Sequence, residues 1–138
     1  MVAIANGSEE METVIIVDLL RRSKNTDVIL AKVDESNFDN EPKLSLMSRQ
    51  MKIEADYIFS EKLLNNYNFD CIVLPGGLEG AKAFRDCPLL IKTLKSFLND
   101  KNKLVGAICA SPALVLMHHN LLEKYKALTF YPALNEKY

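Results

Sequence analysis

The sequence contains no tryptophan, no excess of charge of either sign and no apolar run long enough to cross a membrane. A membrane-spanning helix needs about 20 apolar residues. The opening "MVAIANGSEE" has neither a basic start nor a long apolar core, so it does not resemble a signal peptide. With 17 basic and 18 acidic residues, the chain also lacks the basic stripe typical of nucleic-acid-binding proteins. We therefore expect neither a membrane nor a nucleic acid among its partners.

Cysteine is scarce as well, with only Cys71, Cys87 and Cys109 in 138 residues. An odd number without a C-x-x-C pair argues against a disulfide framework or a zinc knuckle, and favours a reducing, cytoplasmic setting. The adjacent His118 and His119 cannot form a metal site by themselves. We expect no metal and no cofactor.

What the sequence does contain is a regular alternation of short apolar runs and amphipathic segments. The apolar runs predict strands at residues 2–5, 27–33, 69–77 and 103–108, and "ALTFYP" is a candidate start for one more strand. Helices are predicted at residues 9–23, 60–67, 88–100 and 110–118, and a hairpin or strand pair at 44–56. Strands that are apolar throughout and separated by helices indicate a parallel sheet covered on both faces. The expected architecture is a single α/β domain over residues 1–138.

Three turns follow the predicted strands, at residues 6–8, 75–77 and 109–111. In open parallel sheets, ligands bind beyond the carboxyl ends of the strands. If the strand order is compact, the three turns meet at one edge of the sheet and form a candidate site there.

Cys109 lies at the predicted strand-to-helix turn, among the small residues of "GAICASP". Small neighbours suit a crowded nucleophile elbow, and the positive end of the following helix would lower the pKa of the thiol. The alternative is packing, since cysteine is among the most buried residue types. From this segment alone, a packing role is favoured.

Glu12, Gly76 and Gly77 are the other candidates for chemistry. The two glycines can turn backbone N–H groups toward an anion, or they can simply end a strand. Glu12 lies at the margin of an apolar helix face, where a carboxyl can stay protonated and act as a general acid or base. From the residues alone, the favoured alternative is a solvated glutamate stabilised by the helix dipole, as we expect for Glu9 and Glu10.

The remaining residues of interest have less specific signals. Cys71 lies within a predicted strand and is expected in the core. Cys87 precedes Pro88 near a helix start, where it could be exposed and oxidisable. Tyr131 precedes Pro132 and should be extended, as either a packing residue or a pocket wall.

Three stretches together resemble the ThiJ/PfpI superfamily, in its DJ-one branch: "GSEEMETVIIVDLLRR", "DCIVLPGGLEGAKAFRD" and "GAICASPALVL". They are long, specific and in the family's order, and the resemblance spans essentially the whole chain. It implies a flavodoxin-like three-layer α/β sandwich with a mostly parallel sheet. Family members continue after "YPALNEKY" with a glycine-rich turn and a closing helix, so we expect the C-terminal part of the domain to be missing here.

The resemblance also implies a site. It makes Cys109 the reactive, oxidation-prone cysteine and Glu12 the protonated glutamate that hydrogen-bonds to its sulfur. Gly77 and the backbone N–H of the cysteine resemble the family's oxyanion-hole donors. Gly76 and Ala110 adjoin these donors, and Tyr131 and Ser111 fall at the pocket.

Family members are usually homodimers joined through the first helix, which here implicates Met11, Asp18, Arg22 and Arg49. This sequence also departs from the family. Ala110 replaces the histidine that follows the cysteine in protease-like and chaperone-like branches, so that form of triad is absent. Tyr131 replaces a pocket histidine, and Met47 replaces a second cysteine found in some relatives.

The expected function is therefore cysteine-dependent chemistry on 2-oxoaldehydes or early glycation adducts, of the glyoxalase or deglycase type. The alternative is a non-catalytic redox sensor or chaperone that works through oxidation of Cys109. The family name also carries a label for thiamine-precursor (hydroxyethylthiazole monophosphate) biosynthesis. No phosphate-binding glycine loop with a basic partner supports that label in this sequence.

Overall fold

A computed structural model of the chain describes residues 1–34, 42–122 and 131–134. The strand considered within "ALTFYP" lies mostly outside the described residues. Within them, the predicted α/β architecture is confirmed.

The centre of the fold is a parallel sheet of five strands: β1 (Val2–Ile4), β2 (Leu30–Lys32), β5 (Tyr57–Ile58), β6 (Cys71–Leu74) and β7 (Leu104–Ala107). Their order is β5-β2-β1-β6-β7, and each neighbouring pair is parallel. Leu74 is in register with Ala107, so β6 and β7 end side by side. A separate antiparallel hairpin of β3 (Leu44–Leu46) and β4 (Lys52–Glu54) confirms the strand pair predicted at 44–56.

Among the described residues, four α-helices cover the sheet: α1 (Glu10–Arg22), α2 (Glu61–Asn66), α3 (Leu78–Arg85) and α4 (Pro88–Asn99). The prediction located α1, α2 and α4, and missed α3 and the two-residue β5. Helix α1 has acidic residues in its first turn and Arg21 and Arg22 in its last turn, which is the arrangement that the helix dipole favours. Pro88 occupies the first turn of α4, where a missing N–H costs nothing.

Two apolar clusters hold these layers together on opposite faces of the sheet. Phe84 of α3 and Leu90 and Leu94 of α4 pack with Ile72 and Leu74 in one cluster. The other joins Val2 and Ile4 to the inner side of α1 and to Met47, which follows β3. The protein is thus a three-layer α/β sandwich. Helices α2, α3 and α4 pack on one face of the sheet, and α1 and the hairpin pack on the other.

Two local predictions are corrected. Cys87 is only 3% exposed, because it is the N-cap residue of α4 and packs in the α3–α4 cluster, so it is not the exposed cysteine expected. The helix predicted at 110–118 is a π-helix at Pro112–Met117, in which the N–H of His118 donates to the carbonyl of Ala113. Turns of this kind are often found at functional sites. In the described ranges, no helix has the length and apolar character to cross a bilayer.

Candidate functional site

Cys109 follows β7 in a backbone conformation that L-residues rarely adopt. Its φ is +60°, and it is one of three described non-glycine residues with positive φ. The turn is held on both sides, since Ile108 N–H donates to Leu74 O at 3.1 Å and Ser111 N–H donates to Ile108 O at 3.1 Å. A left-handed cysteine costs about 1–3 kcal/mol, and such strain is concentrated at functional sites. The thiol therefore sits on a sharp strand-to-helix elbow.

Glu12 reaches this elbow from α1. Its own N–H donates at 2.7 Å to the side chain of Glu9, the N-cap residue, which fixes the first turn of the helix. Its Oε2 accepts a 2.6 Å hydrogen bond from Gly76 N–H. Burial raises the pKa of the Cys109 thiol, and the Glu12 carboxyl raises it further. A side chain at position 76 would not fit here, because a Cβ would lie 2.6 Å from Cβ of Cys109 and 2.8 Å from Oε2 of Glu12.

Two backbone N–H groups, those of Gly77 and Ala110, favour the ionised form of the sulfur and act to lower the pKa of the thiol. The N–H of Gly76 is occupied by Glu12, so it does not serve the sulfur. Gly77 has a φ of +87°, a conformation that glycine adopts without steric cost. The structure thus brings Cys109, Glu12, Gly77 and Ala110 together as a thiol, a carboxyl and two amide donors.

The electrostatics of the thiol differ from the expectation that a helix end would lower its pKa. Burial raises the pKa of Cys109, and the charge and hydrogen bond of Glu12 raise it further. The N–H groups of Gly77 and Ala110 act in the opposite direction but are outweighed. The predicted direction was wrong, because the dominant influences come from burial and from α1 rather than from the helix that follows the cysteine.

Ser111 and Tyr131 take different positions around the elbow. Ser111 is fully buried, and its hydroxyl donates to the carbonyl of Pro75 at 2.5 Å. It therefore joins the end of β6 to the elbow after β7 rather than facing an open pocket. Tyr131 donates its backbone N–H to the carbonyl of Cys109 at 2.9 Å, and its side chain is 53% exposed.

The turns at 6–8 and 75–77 contact each other through main chain. Glu9 N–H donates to Gly76 O at 3.0 Å, and a Cβ built on Gly77 would collide with the carbonyl oxygen of Gly7 and lie 2.6 Å from the backbone nitrogen of Glu9. The loop that carries Glu12 and the loop that supplies Gly77 are therefore packed at backbone distance.

Glu10 has a role that the sequence did not reveal. We expected it to be solvated, but it is buried, and its carboxylate accepts 2.8 and 2.7 Å hydrogen bonds from the Ser48 hydroxyl and the Arg49 backbone N–H. Burial alone would raise the pKa of Glu10, yet the hydrogen bonds it accepts together lower it. Through these hydrogen bonds, Glu10 connects the β3–β4 turn to the start of α1, next to the site.

The outer face of α1 carries the residues expected at a subunit interface. Met11, Val14, Ile15 and Leu19 are exposed there, and Met11 is 64% exposed. Asp18 and Arg22 form a 2.9 Å ion pair on the same face. Arg49 is exposed on the β3–β4 turn.

In the part of the chain that the structure describes, no three histidine, cysteine or acidic residues are grouped as metal ligands.

Comparison with known proteins identifies the family. Residues 1–138 match the model of the DJ-1/PfpI family. This is the family that the three stretches of the sequence resemble, there named the ThiJ/PfpI superfamily. The chain belongs to the DJ-1/PfpI family. Its DJ-1/PfpI relatives include two Arabidopsis thaliana proteins, DJ-1 homolog B (46% identical) and DJ-1 homolog A (39% identical), each match covering 99% of this chain. The chain spans only 29% and 32% of their lengths.

A third relative carries an activity in its name. The Caenorhabditis elegans glutathione-independent glyoxalase DJR-1.2 is 36% identical over 63 residues, which cover 46% of this chain and 33% of that protein.

Solved DJ-1 structures confirm the flavodoxin-like fold. The oxidized DJ-1 of Toxoplasma gondii superposes with a TM-score of 0.84 at 36% identity, covering 99% of this chain and 68% of that one. Drosophila melanogaster DJ-1beta gives a TM-score of 0.81 at 34% identity, covering 98% and 66%.

Proposed function

We propose that this protein is a cysteine-dependent stress-response protein that converts 2-oxoaldehydes, or early glycation adducts formed from them, through Cys109 assisted by Glu12. The observation that carries the proposal is that Glu12 and Cys109 meet at Gly76: Oε2 of Glu12 accepts the Gly76 N–H at 2.6 Å, and a Cβ built on Gly76 would lie 2.8 Å from that oxygen and 2.6 Å from Cβ of Cys109. The glyoxalase named among the relatives points to the same chemistry.

The first step is addition of the sulfur to the aldehyde. Sγ of Cys109 forms a C–S bond to the aldehyde carbon, and the carbonyl electron pair moves to the oxygen. The N–H groups of Gly77 and Ala110, which favour the ionised form of the Cys109 thiol, would stabilise the developing oxyanion. The thiol proton, taken up by the Glu12 carboxylate as the C–S bond forms, then passes to that oxygen, which gives a hemithioacetal and leaves Glu12 as a carboxylate.

The remaining steps need only a base and water. The Glu12 carboxylate removes the proton on the former aldehyde carbon, which gives an enediol, and delivers it to the adjacent carbon. The hydroxyl proton on the former aldehyde carbon passes to the neighbouring oxygen, and the product is a thioester of a 2-hydroxy acid. Water then cleaves the thioester and frees the thiol. The aldehyde carbon is oxidised while its neighbour is reduced, so the overall addition of one water requires no external oxidant.

The rate should be modest, because Glu12 would have to serve every proton transfer. Ala110 stands where some branches of the family have a histidine. His119 uses its Nε2 in a 2.8 Å contact with the carbonyl of Arg85, and His118 is exposed. In the described part of the chain, neither imidazole is a hydrogen-bond partner of Cys109.

The test is consumption of methylglyoxal by the purified protein, compared with Cys109→Ala and Glu12→Ala. Cys71→Ala is the matched control, because Cys71 is also partly exposed and its thiol pKa is also raised, chiefly by burial. We expect the first two variants to lose activity and the control to keep it. Equal consumption by the wild type and both site variants would refute the proposal.

A second candidate, a redox sensor, is favoured by one comparison: the superposable Toxoplasma gondii DJ-1 is described as oxidized. In this protein, oxidation of the Cys109 thiolate by two equivalents of peroxide would give a sulfinate, which can accept a hydrogen bond from the Glu12 carboxyl. Peroxide titration followed by peptide mass mapping should modify Cys109 before Cys71 or the buried Cys87. Earlier oxidation of either of these two cysteines would contradict the sensor role.

A further inference from the structure

Two tyrosine side chains meet on the surface of the protein, away from Cys109. The hydroxyl oxygens of Tyr57 and Tyr67 lie 2.7 Å apart, the usual length of an O–H···O hydrogen bond. Their rings are tilted by 60° with centroids 5.5 Å apart, which is a direct aromatic contact. The hydroxyl-bearing ends of the two rings are therefore held together.

The backbone fixes the position of each tyrosine in this pair. Tyr57 is the first residue of β5 and is in register with Ala31 of β2. Tyr67 is the C-cap residue of α2, where its N–H donates to the carbonyl of Leu63 at 3.1 Å, and its ring stacks on that of Phe69 at 5.9 Å. The contact between the two phenols thus follows from the fold and joins residues ten positions apart.

Both phenols can be reached from solvent. Tyr57 is 41% exposed and Tyr67 is 39% exposed, and the two line the same surface cleft. The hydrogen bond to Tyr57 raises the pKa of Tyr67, so this phenol keeps its proton at neutral pH. Its oxidation must therefore remove a proton together with an electron.

We propose that Tyr57 and Tyr67 form a modification site, at which a one-electron oxidant couples the two rings into an intramolecular dityrosine. Each phenol loses one electron to an oxidant ion and one proton to solvent. The two radicals form a C–C bond between ring carbons next to the hydroxyls, and the hydrogens on those carbons move to the oxygens. Because the rings are already in contact, coupling within the pair outcompetes coupling between molecules.

This site is separate from the Cys109 elbow. Strands β5 and β7 are the two edges of the sheet, and the four strand spacings between them amount to about 19 Å. The chemistry differs as well, since peroxide oxidises a cysteine thiolate by two electrons in one step, whereas the tyrosine pair consumes two one-electron equivalents. The tyrosine site therefore does not depend on the proposed function, and its cross-link would join the edge strand β5 to the segment that precedes β6.

The test is treatment of the purified protein with an excess of hexachloroiridate(IV), which accepts one electron per ion. Trypsin cuts after Lys62, which lies between the two tyrosines, so they fall in separate peptides, 53–62 and 63–82. A cross-link joins these peptides into one species that is lighter than their sum by two hydrogen atoms. Dityrosine fluorescence measures the yield, and a dilution series separates coupling within one chain from coupling between chains.

We expect the joined peptides in protein of single-chain mass under denaturing conditions, at a yield independent of concentration. Tyr57→Phe and Tyr67→Phe keep each ring and remove the hydroxyl, and each should lower the dityrosine yield at least about tenfold. Tyr131→Phe is the matched control, because Tyr131 is exposed and belongs to no aromatic pair within the described residues. It should cross-link as the wild type does.

Three results would overturn the proposal: absence of the joined peptides, a yield that falls on dilution, or an unchanged yield in both pair variants. Cys109→Ala should also cross-link as the wild type does, because the pair reacts with the oxidant directly. Loss of the cross-link in Cys109→Ala would show that oxidation reaches the tyrosines through the thiol, which contradicts a separate site.

Discussion

The backbone N–H of Gly76 donates a 2.6 Å hydrogen bond to Oε2 of Glu12, and a Cβ built on Gly76 would lie 2.8 Å from that oxygen and 2.6 Å from Cβ of Cys109. One side chain from α1 thus joins the turn after β6 to the elbow after β7. Three segments that are distant in the sequence depend on it, so substitutions at either end of this contact have distinct and measurable effects.

Glu12→Gln should lower the pKa of Cys109. The negative charge and the hydrogen bond of Glu12 both raise the pKa of the thiol, and the amide removes the charge. More thiolate is then present at neutral pH, so alkylation by iodoacetamide should become several-fold faster even though the proposed catalysis is lost. The measurement is the pH dependence of the alkylation rate. Glu61→Gln, an exposed acid on α2, is the control, and an unchanged midpoint in Glu12→Gln would contradict the account.

Gly76→Ala should destabilise the protein by about 1–3 kcal/mol, because the added methyl overpacks a filled space. That methyl would lie 2.6 Å from Cβ of Cys109 and 3.1 Å from the backbone nitrogen of Ala110. Gly106→Ala is the matched control: its new Cβ would meet Val73 no closer than 3.5 Å, an ordinary contact. Urea unfolding of both variants gives the comparison. Equal stability of the two variants would show that position 76 is not confined as described.

Glu10→Gln should make the stability of the protein less dependent on acid pH. The folded-state pKa of Glu10 lies below its usual value of 4.5, so its ionised form contributes stability above that value, and the contribution is lost as the pH falls through the folded-state pKa. Loss of the charged hydrogen bonds should cost about 1–3 kcal/mol at neutral pH.

The measurement is the free energy of unfolding at pH 7 and at about pH 4. The wild type should lose more stability between the two than Glu10→Gln does. Glu79→Gln, an exposed glutamate on α3, should behave as the wild type. If Glu10→Gln and the wild type have parallel profiles, the lowered pKa does not contribute to stability.

We propose that the exposed face of α1 joins two copies of the chain in a homodimer, and Leu19→Glu should weaken that dimer at least about tenfold. Leu19, Ile15 and Met11 are exposed at helical spacing, and a carboxylate buried against a second apolar helix would lack a partner. Sedimentation equilibrium of the wild type and the variant measures the change. Leu104→Glu, an equally exposed apolar site on β7, is the control; dissociation by that variant instead would place the interface elsewhere.

The strands and longer helices could be predicted because their patterns are local. Residues of β1, β6 and β7 lie in short apolar runs, and α4 repeats apolar residues at helical spacing after Pro88. Helix α3 was missed because it has eight residues, follows Gly77 and contains Gly80, so the segment looked like an extended glycine turn. Strand β5 has only two residues, too few to show any period.

Less of the site could be predicted from the sequence, because the residues that contact each other there are distant along the chain. The sequence pattern placed Glu12 at the margin of an apolar helix face, but only the family resemblance gave it a role at Cys109. Glu10 contacts residues 38 and 39 positions away, so nothing near it in the sequence signals its burial. The pKa of Cys109 depends on the sum of burial, Glu12 and two amides, whose relative weights only the folded arrangement determines.

The main-chain contact between the 6–8 and 75–77 turns has a consequence for how the site opens. A Cβ on Gly77 would collide with the backbone of the first turn, and Glu9 N–H is bonded to Gly76 O, so neither loop can move without displacing the other. Amide protons of the two loops should therefore exchange with solvent together, in one cooperative opening. A reagent that approaches Cys109 from the side of these two turns therefore requires both turns to open together. Fluctuations of one turn alone leave the thiol and the Glu12 carboxyl in place.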